Sequence, residues 1–481
     1  MKGFDARQIA TMLHSMAKAR YRPADDTFSS ALEGQAEAVI GLFNAQELAN
    51  TVWAYATMKR QPGRGLMRAL EGQTAAIVGT FNAQDVANTL WAYATMGREP
   101  GSRVMQGLEE QTHRQAGTFQ AQNVSNTLWA YATMGREPGA GVRTALERRA
   151  ESLVGKFDAQ HVSTTLWAYA KMGRKPGAQL MRGLERRTEA ILDTFEEQGL
   201  TNTIWAYATM GQEPGAGLMW GLEGRAETEA GTFNAQDVAN TLWAYATMGR
   251  EPGAGLMRGL EGQAEALVST FNAQDVANTL WAVCVICILS ASQQASSIVH
   301  VVAHRLVSPG LSASLNFANL SQLHQVFVWC RVEGKLHVEA LNDLPSLKDE
   351  CRRVFLSSET DPSGTQNQVS KTLRDMGLSV QDEFLCPMSG YSIDMLVRDP
   401  KLTMGGESGS SGGVWAVEFD GPQHFLASRA PTGATLLKRR TLELLGHALV
   451  SLPHWEWAAC NRNVEKEQQY LQSKLRSTQF L

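Results

Sequence analysis

The sequence predicts an α-solenoid of 38-residue helix-turn-helix repeats followed by a small α/β domain. Three observations carry this prediction. Tryptophans stand at 53, 91, 129, 167, 205, 243 and 281, each 38 positions after the last. The phenylalanine ten positions ahead of each, from Phe43 to Phe271, keeps the same step. The period dissolves after Cys284, and past residue 369 short strand-like runs alternate with helical ones. A fixed step of this length marks a tandem array whose units cannot bury their apolar faces alone and therefore stack.

Each unit justifies two helices. In Phe233-NAQDVANTLWAYATMGREPGAGLMRGLEGQAEALVST the Asn at the second position suits an N-cap, and the Gly at the seventeenth suits a left-handed C-cap. These two bound helix A. Pro then opens the next segment, where Leu256, Met257, Leu260, Ala264 and Leu267 recur at helical spacing, which defines helix B. A weaker copy begins at Phe4, with His14 in the tryptophan place, so the first methionine falls almost inside a repeat. Either the array lacks a capping segment or the natural chain begins upstream. The tryptophans, flanked by Leu242, Ala244 and Ala246 in this copy, are assigned to the core rather than to base-stacking platforms.

Composition narrows the function. The chain has 481 residues, 43% hydrophobic and 19% charged, enough apolar residues for a large core. Lys and Arg number 44 against 48 Asp and Glu, so the net charge of −4 excludes a broadly polybasic binder and makes any nucleic-acid contact local. The longest apolar run, Trp281 to Leu289, falls short of the roughly 20 residues a membrane-spanning helix needs, so no membrane partner is expected. Among the six cysteines, Cys284 and Cys287 have ligand-like spacing but lie in an apolar stretch with no second pair, which reads as buried thiols rather than zinc.

The positions that vary within the fixed frame are the candidate binding residues. The fifth position carries Glu47, Asp85, Asn123, His161, Asp237 and Asp275, and the eighth carries Asn50, Asn88, Asn126, Thr164, Asn202, Asn240 and Asn278. Five and eight lie one turn apart on helix A, so together they form a polar stripe that either reads one base per repeat or is simply a solvated face. A second ladder, Arg60, Arg98, Arg136, Arg174 and Arg250, sits at the turn between helices. It either meets one phosphate per unit or pairs with neighbouring glutamates such as Glu99, Glu137 and Glu251.

After the array, residues 284–356 read as a helical cap, in which Phe317 to Cys330 looks like a worn helix A, and 357–368 as a polar linker. The domain at 369–476 opens with a helix at Val369 to Met376 and continues with strands at Val380 to Leu385 and Tyr391 to Val397. A glycine- and serine-rich loop fills 405–413, and a buried strand starts at Val414. A helix at Leu436 to Leu445, a strand at Ala448 to Leu452 and a closing helix at Val464 to Leu475 complete it.

The period, the Leu-Trp-Ala-Tyr-Ala core of helix A and the Pro before helix B resemble octotricopeptide (OPR) repeats across residues 4–283. That resemblance implies sequence-guided binding of single-stranded RNA by an organellar protein. The near-uniform Asp and Asn at the reading positions favour a repetitive target, and one base per repeat gives a footprint of roughly seven to nine nucleotides. Ser392-Ile-Asp394, Val417-Glu-Phe-Asp-Gly-Pro-Gln-His424, Leu437-Lys-Arg-Arg-Thr-Leu442 and Pro453-His-Trp-Glu-Trp457 resemble the RAP domain, which also accompanies FAST-kinase-like proteins.

RAP domains are in turn similar to the PD-(D/E)xK nuclease fold. That similarity implies a Mg²⁺ site with Asp394 and Glu418 as metal ligands. Asp420 stands where that pattern expects the catalytic lysine, Lys438 is a candidate to have taken over the role, and His424 is a candidate base or phosphate ligand. The competing reading keeps the acids for fold or RNA contact, with Asp420-Gly-Pro as a turn and no cofactor. The families imply RNA processing, stability or translation in an organelle, mitochondrion first and chloroplast second, with other organellar RNA-metabolism proteins as partners. Alternatives are a protein-binding scaffold and a Mg²⁺-dependent endoribonuclease.

Overall fold

The computed structural model describes residues 3–21, 26–289, 296–308, 310–334, 341, 344–357, 362–403 and 413–478. The glycine- and serine-rich loop before Gly413 and the 358–361 part of the expected linker lie outside the described residues. The chain divides into two compact units, Met1–Met210 with Pro214–Arg225, and Gly211–Glu213 with Ala226–Leu481.

The first unit is a stack of helical repeats. Helix A runs over Ala6–Lys18, Ala45–Thr57, Ala83–Thr95, Ala121–Thr133, Ala159–Lys171 and Glu197–Thr209. Helix B, as in Arg64–Ile77 and Ser102–Gln115, ends in a single 3-10 turn that delivers the chain to the next phenylalanine. The expected caps are present. Asn44, Asn82 and Asp158 cap helix A, and Gly97, Gly135 and Gly173 leave it with φ between +66° and +67°. Pro62 lies one residue ahead of the N-cap Gly63 and two ahead of Arg64, where helix B starts, so the proline precedes the helix rather than opening it.

Alternation of bulk fixes the packing. In one copy Val86, Ala87, Thr89, Leu90, Ala92, Tyr93 and Ala94 are all buried, the alanines letting neighbouring helices approach and the tyrosine filling the gap. Two polar clips tie the frame. Gln73 and Gln111 donate from Nε2, and Arg149 and Arg187 from Nε, to the main-chain oxygen of the phenylalanine that opens their own repeat, at 2.6–3.2 Å. Glu33 on helix B of one repeat accepts from the Tyr55 hydroxyl at 2.9 Å and from the Gly63 N–H at 3.1 Å in the next. These bonds satisfy groups that helix ends otherwise leave orphaned.

The tryptophans differ from the core assignment. Trp53, Trp91, Trp129, Trp167 and Trp205 are half-buried, because position eleven lies on the same flank of helix A as position eight. Trp53, Trp91 and Trp129 follow one another with ring centroids 6.3 Å apart and planes inclined by 31°.

The second unit starts with repeats of the same kind, with helix A at Ala235–Thr247 and Ala273–Leu289 and helix B at Ala254–Leu267. Helices α1 (Ser296–Leu306), α2 (Phe317–Glu333) and α3 (Pro345–Leu356) follow. The segment expected to be a worn helix A is helical, and α2 starts with a reciprocal Asn316–Asn319 cap like that of Asn82 and Asp85. Helix α4 spans Gly364–Asp375 with a Ser363–Gln366 capping box, so it starts inside the segment expected to be a linker.

Strands β1 (Ser379–Leu385), β2 (Ser392–Arg398), β3 (Val414–Asp420) and β4 (Leu449–Pro453) pair in the order β1-β2-β3-β4. The first two pairings are antiparallel and β3-β4 is parallel, with α5 (Gly433–Leu444) as the crossover that a parallel pair requires. Helices α6 (His454–Ala458) and α7 (Val464–Ser477) close the domain over a core of Met395, Val397, Trp415, Val417, Leu452 and Leu471.

Within this unit the α/β domain packs on the repeats. Helix α5 lies against Ala235–Thr247, Ala273–Leu289 and α2. The Ala427 N–H donates to the Gly211 carbonyl at 3.0 Å, and His324 Nε2 lies 2.8 Å from the Ser389 carbonyl.

Candidate functional site

On helix A the fifth and eighth positions separate. The fifth position is N3, and its side chain reaches back to the N-cap. Glu47, Asp85, Asn123, Asp237 and Asp275 accept the N-cap N–H at 2.9–3.2 Å, and His161 Nδ1 lies 3.3 Å from that of Asp158. Asp85, Asp237 and Asp275 are buried. Burial pushes the Asp85 and Asp275 carboxyls above the usual range while the bond from the cap nitrogen pulls them back. These side chains belong to the helix start.

The eighth position is available. Asn50, Asn88, Asn126, Thr164, Asn202 and Asn240 are half-buried. Among the described residues, Asn278 is the eighth-position asparagine whose amide bonds to another side chain, accepting from Gln322 Nε2 at 3.2 Å. Asn278 is therefore closed off by α2, as is Trp281, whose Nε1 donates to Gln325 Oε1 at 3.0 Å.

The arginine ladder is paired. Arg60 bonds Ser29 at 3.1 Å and Arg98 bonds Gln61 at 3.3 Å. Arg136 lies 3.8 Å from Glu99, and Arg250 lies 3.7 Å from Glu213. Arg174 makes a fork to Glu137 at 3.0 and 2.9 Å, which holds that exposed carboxyl below its usual range. Arg98, Arg136, Arg174 and Arg250 thus reach the turn of the preceding repeat, and Arg60 reaches helix B of the repeat before it.

In the α/β domain, β2, β3, α4, α5 and α6 line a cleft of about 910 Å³. Asp394, Glu418, His424 and Lys438 all line it. Lys438 Nζ lies 2.6 Å from Glu418 Oε2, while among the described residues Oε1 of the same buried carboxyl has no hydrogen-bond partner. Burial pushes Glu418 up to about 8, opposed by Lys438, and pushes Asp394 up to about 6. Asp394 Oδ2 accepts the Phe419 N–H at 2.8 Å. Burial lowers the His424 pKa, and its Nδ1 lies 3.3 Å from Thr435 Oγ1.

Asp420 corrects the expected set. It is buried beneath α5, where its Oδ2 accepts from Arg439 at 2.7 Å and from the Ser451 hydroxyl, and it does not line the cleft. The residues present do not fit a resident divalent ion. The Lys438 ammonium already occupies one oxygen of Glu418, and among the described residues no three carboxylate, imidazole or thiolate groups are arranged so that they could hold a metal ion. Sequence reasoning missed His454, Trp457 and Arg462, which also line the cleft, although the Pro453-His-Trp-Glu-Trp457 segment carried the signal. No helix among the described residues is long and apolar enough to cross a membrane.

A family model described as RNA-editing substrate-binding complex 6 protein matches residues 1–252, and the RAP domain model matches residues 417–474. A short match at residues 268–280 is to a family of unknown function. A RAP domain-containing protein, chloroplastic, from Oryza sativa subsp. japonica is 33% identical over 111 residues, which is 23% of this chain and 14% of the rice protein. The repeats thus match a family other than the octotricopeptide one, since stacked helical hairpins of similar length serve more than one repeat family. With half of its length matched, the chain belongs to the RNA-editing substrate-binding complex 6 protein family and carries a RAP domain near its C-terminal end.

Proposed function

We propose that this protein binds single-stranded RNA along the flank of helix A, reading bases through the eighth position as part of organellar RNA metabolism. The observation that carries this reading is the row of half-exposed Asn50, Asn88, Asn126 and Asn202 amides, whose donors and acceptors are not used within the described protein. An amide repeated at a fixed step beside a rigid aromatic spine offers matched donors and acceptors to unpaired base edges. The tryptophans act as that spine. A base between two rings needs about 7 Å, twice the roughly 3.4 Å rise per nucleotide, and the centroids stand 6.3 Å apart.

The family's printed description names an RNA-editing substrate-binding complex, and the rice relative is described as chloroplastic. Both support an organellar RNA role, with the mitochondrion as the first compartment to examine. Selection of the chain against a random single-stranded RNA pool at two salt concentrations tests the reading. Enrichment of a short motif whose binding weakens with salt supports it. Equal retention of all sequences contradicts it.

A second reading, contact with a protein partner, is favoured by Trp220. This side chain is 81% exposed on helix B, where other copies carry Arg68, Gln106, Thr144, Arg182 or Arg258. Exposed tryptophan is a frequent anchor of protein interfaces.

A further inference from the structure

We infer that Cys284 and Cys330 are a thiol pair that closes to a disulfide when a peroxide reaches it, stapling the last helix A of the array to α2 beneath the α/β domain. It stands apart from the proposed RNA role. Three features converge.

The first is a departure from the repeat. The fourteenth position is alanine in every copy from Ala56 to Ala246, and the sixteenth is methionine from Met58 to Met248. Cys284 takes the fourteenth place on Ala273–Leu289, and Cys330 takes the sixteenth on α2. The second feature is alignment. Asn278 meets Gln322 at 3.2 Å and Trp281 meets Gln325 at 3.0 Å, so the eighth and eleventh positions of the two helices stand side by side. The next turn brings the cysteines together, and the Cys284 thiol donates a hydrogen bond to the Cys330 sulfur.

The third feature is a division of labour between the two sulfurs. Lys348 on α3 holds its ammonium 5.6 Å from the centre of the Phe327 ring, one turn before Cys330. The bond from Cys284 and this charge hold the Cys330 thiol below its ordinary range, whereas burial pushes the Cys284 thiol up. Cys330 is half-buried and Cys284 is buried, so solvent reaches the sulfur that ionises more readily. The thiolate is the nucleophile, which makes Cys330 the attacking sulfur and Cys284 the resolving one.

With hydrogen peroxide the chemistry balances in two steps. The Cys330 thiolate attacks one peroxide oxygen, an S–O bond forms as the O–O bond breaks, and the departing hydroxide takes the proton that Cys330 released and leaves as water. Cys284 then gives up its proton and attacks the Cys330 sulfur. The S–S bond forms, the S–O bond breaks, and the hydroxyl leaves with that proton as a second water. Two thiols lose two electrons and the peroxide gains them. The α/β domain senses the result, because α5 packs on both helices and the buried Tyr391 ring lies close enough to Cys284 for charge on that sulfur to disfavour its phenolate.

The experiment reduces the full chain, removes the reductant, adds about one equivalent of hydrogen peroxide and maps unreduced peptides by mass spectrometry. The expected result is loss of two of the six thiols, a peptide cross-linked through Cys284 and Cys330, and recovery of both thiols with dithiothreitol. Cys284→Ala and Cys330→Met restore the residues of the other copies, so each tests the pair with a side chain the repeat already accommodates. Cys284→Ala should abolish the cross-link and leave a Cys330 sulfenic acid that dimedone traps, and Cys330→Met should abolish both. Proteolysis of the oxidised second unit should slow roughly tenfold against the reduced form, because the bond restrains the unfolded chain. A cross-link through Cys287 or another cysteine, retention of all six thiols, or a disulfide that leaves the proteolysis rate unchanged overturns the proposal.

Discussion

Asn82 and Asp85 hold each other's backbone at the start of helix A: Asp85 Oδ2 accepts the Asn82 N–H at 3.1 Å and Asn82 Oδ1 accepts the Asp85 N–H at 3.0 Å. The same reciprocal pair recurs at Asn234 and Asp237. Replacing Asp237 by Ala leaves one N-terminal N–H without an acceptor and is expected to destabilise the second unit by about 1 kcal/mol. Urea unfolding measures the loss, and the base preference of the bound RNA should stay as it was.

Lys59 stands where the later repeats have glycine, and its φ of 54° matches the 66° of Gly97. A side chain in the left-handed region costs roughly 1 kcal/mol, so Lys59→Gly should stabilise the first unit by about 0.5–1 kcal/mol in thermal or urea unfolding. A destabilisation would mean that the lysine side chain contributes a contact larger than the strain.

Helix α5 meets the repeats at Gly433, where an added Cβ would stand 1.9 Å from the Ala246 carbonyl oxygen. That oxygen belongs to the backbone and cannot swing away. Gly433→Ala should therefore prise the α/β domain from the last repeats, cost about 1–3 kcal/mol, and speed proteolysis of the second unit. Unaltered stability and proteolysis would show that the contact gives way at little cost.

Burial raises the folded pKa of Glu418 to about 8 and that of Asp394 to about 6, above their ordinary values of 4.5 and 3.8. A carboxyl that holds its proton more tightly when folded contributes stability below its unfolded pKa and loses it as pH rises through the folded value. This contribution should fall as pH climbs from about 4.5 to about 8, while the burial-lowered pKa of His324, His424 and His447 works in the opposite direction, so the difference in stability between the parent and Glu418→Gln isolates it. A difference that does not fall over this interval would contradict the assignment.

Much of this was legible in the sequence, for physical reasons that differ from residue to residue. The 38-residue step exposed the repeats because Phe43, Trp53 and their counterparts must meet the same neighbours in every copy. The grouping of Asp394, Glu418 and Lys438 came from the resemblance to the nuclease-like fold, and the adjacent strands and the crossover helix are what place these three side chains on one cleft. The role of Asp85 was hidden, although the Asn82-x-x-Asp85 spacing is that of a capping box, because a polar stripe and a cap look alike until burial is known. For Asp420 the catalytic and the structural reading stood side by side in the sequence for a related reason: strand alternation puts it on the same side as Glu418, but Arg439 and Ser451 bury it. Gly433 gave no signal, since a close approach depends on two segments distant in sequence.

The most direct measurement compares the RNA motifs selected by the parent protein and by Asn126→Asp. The exchange keeps the size and place of the side chain and replaces an amide donor with an acceptor. The account predicts that one position of the selected motif changes its base while the rest and the salt dependence persist. An unchanged motif, with unchanged affinity, would contradict reading through the eighth position and leave the helix A flank a solvated face.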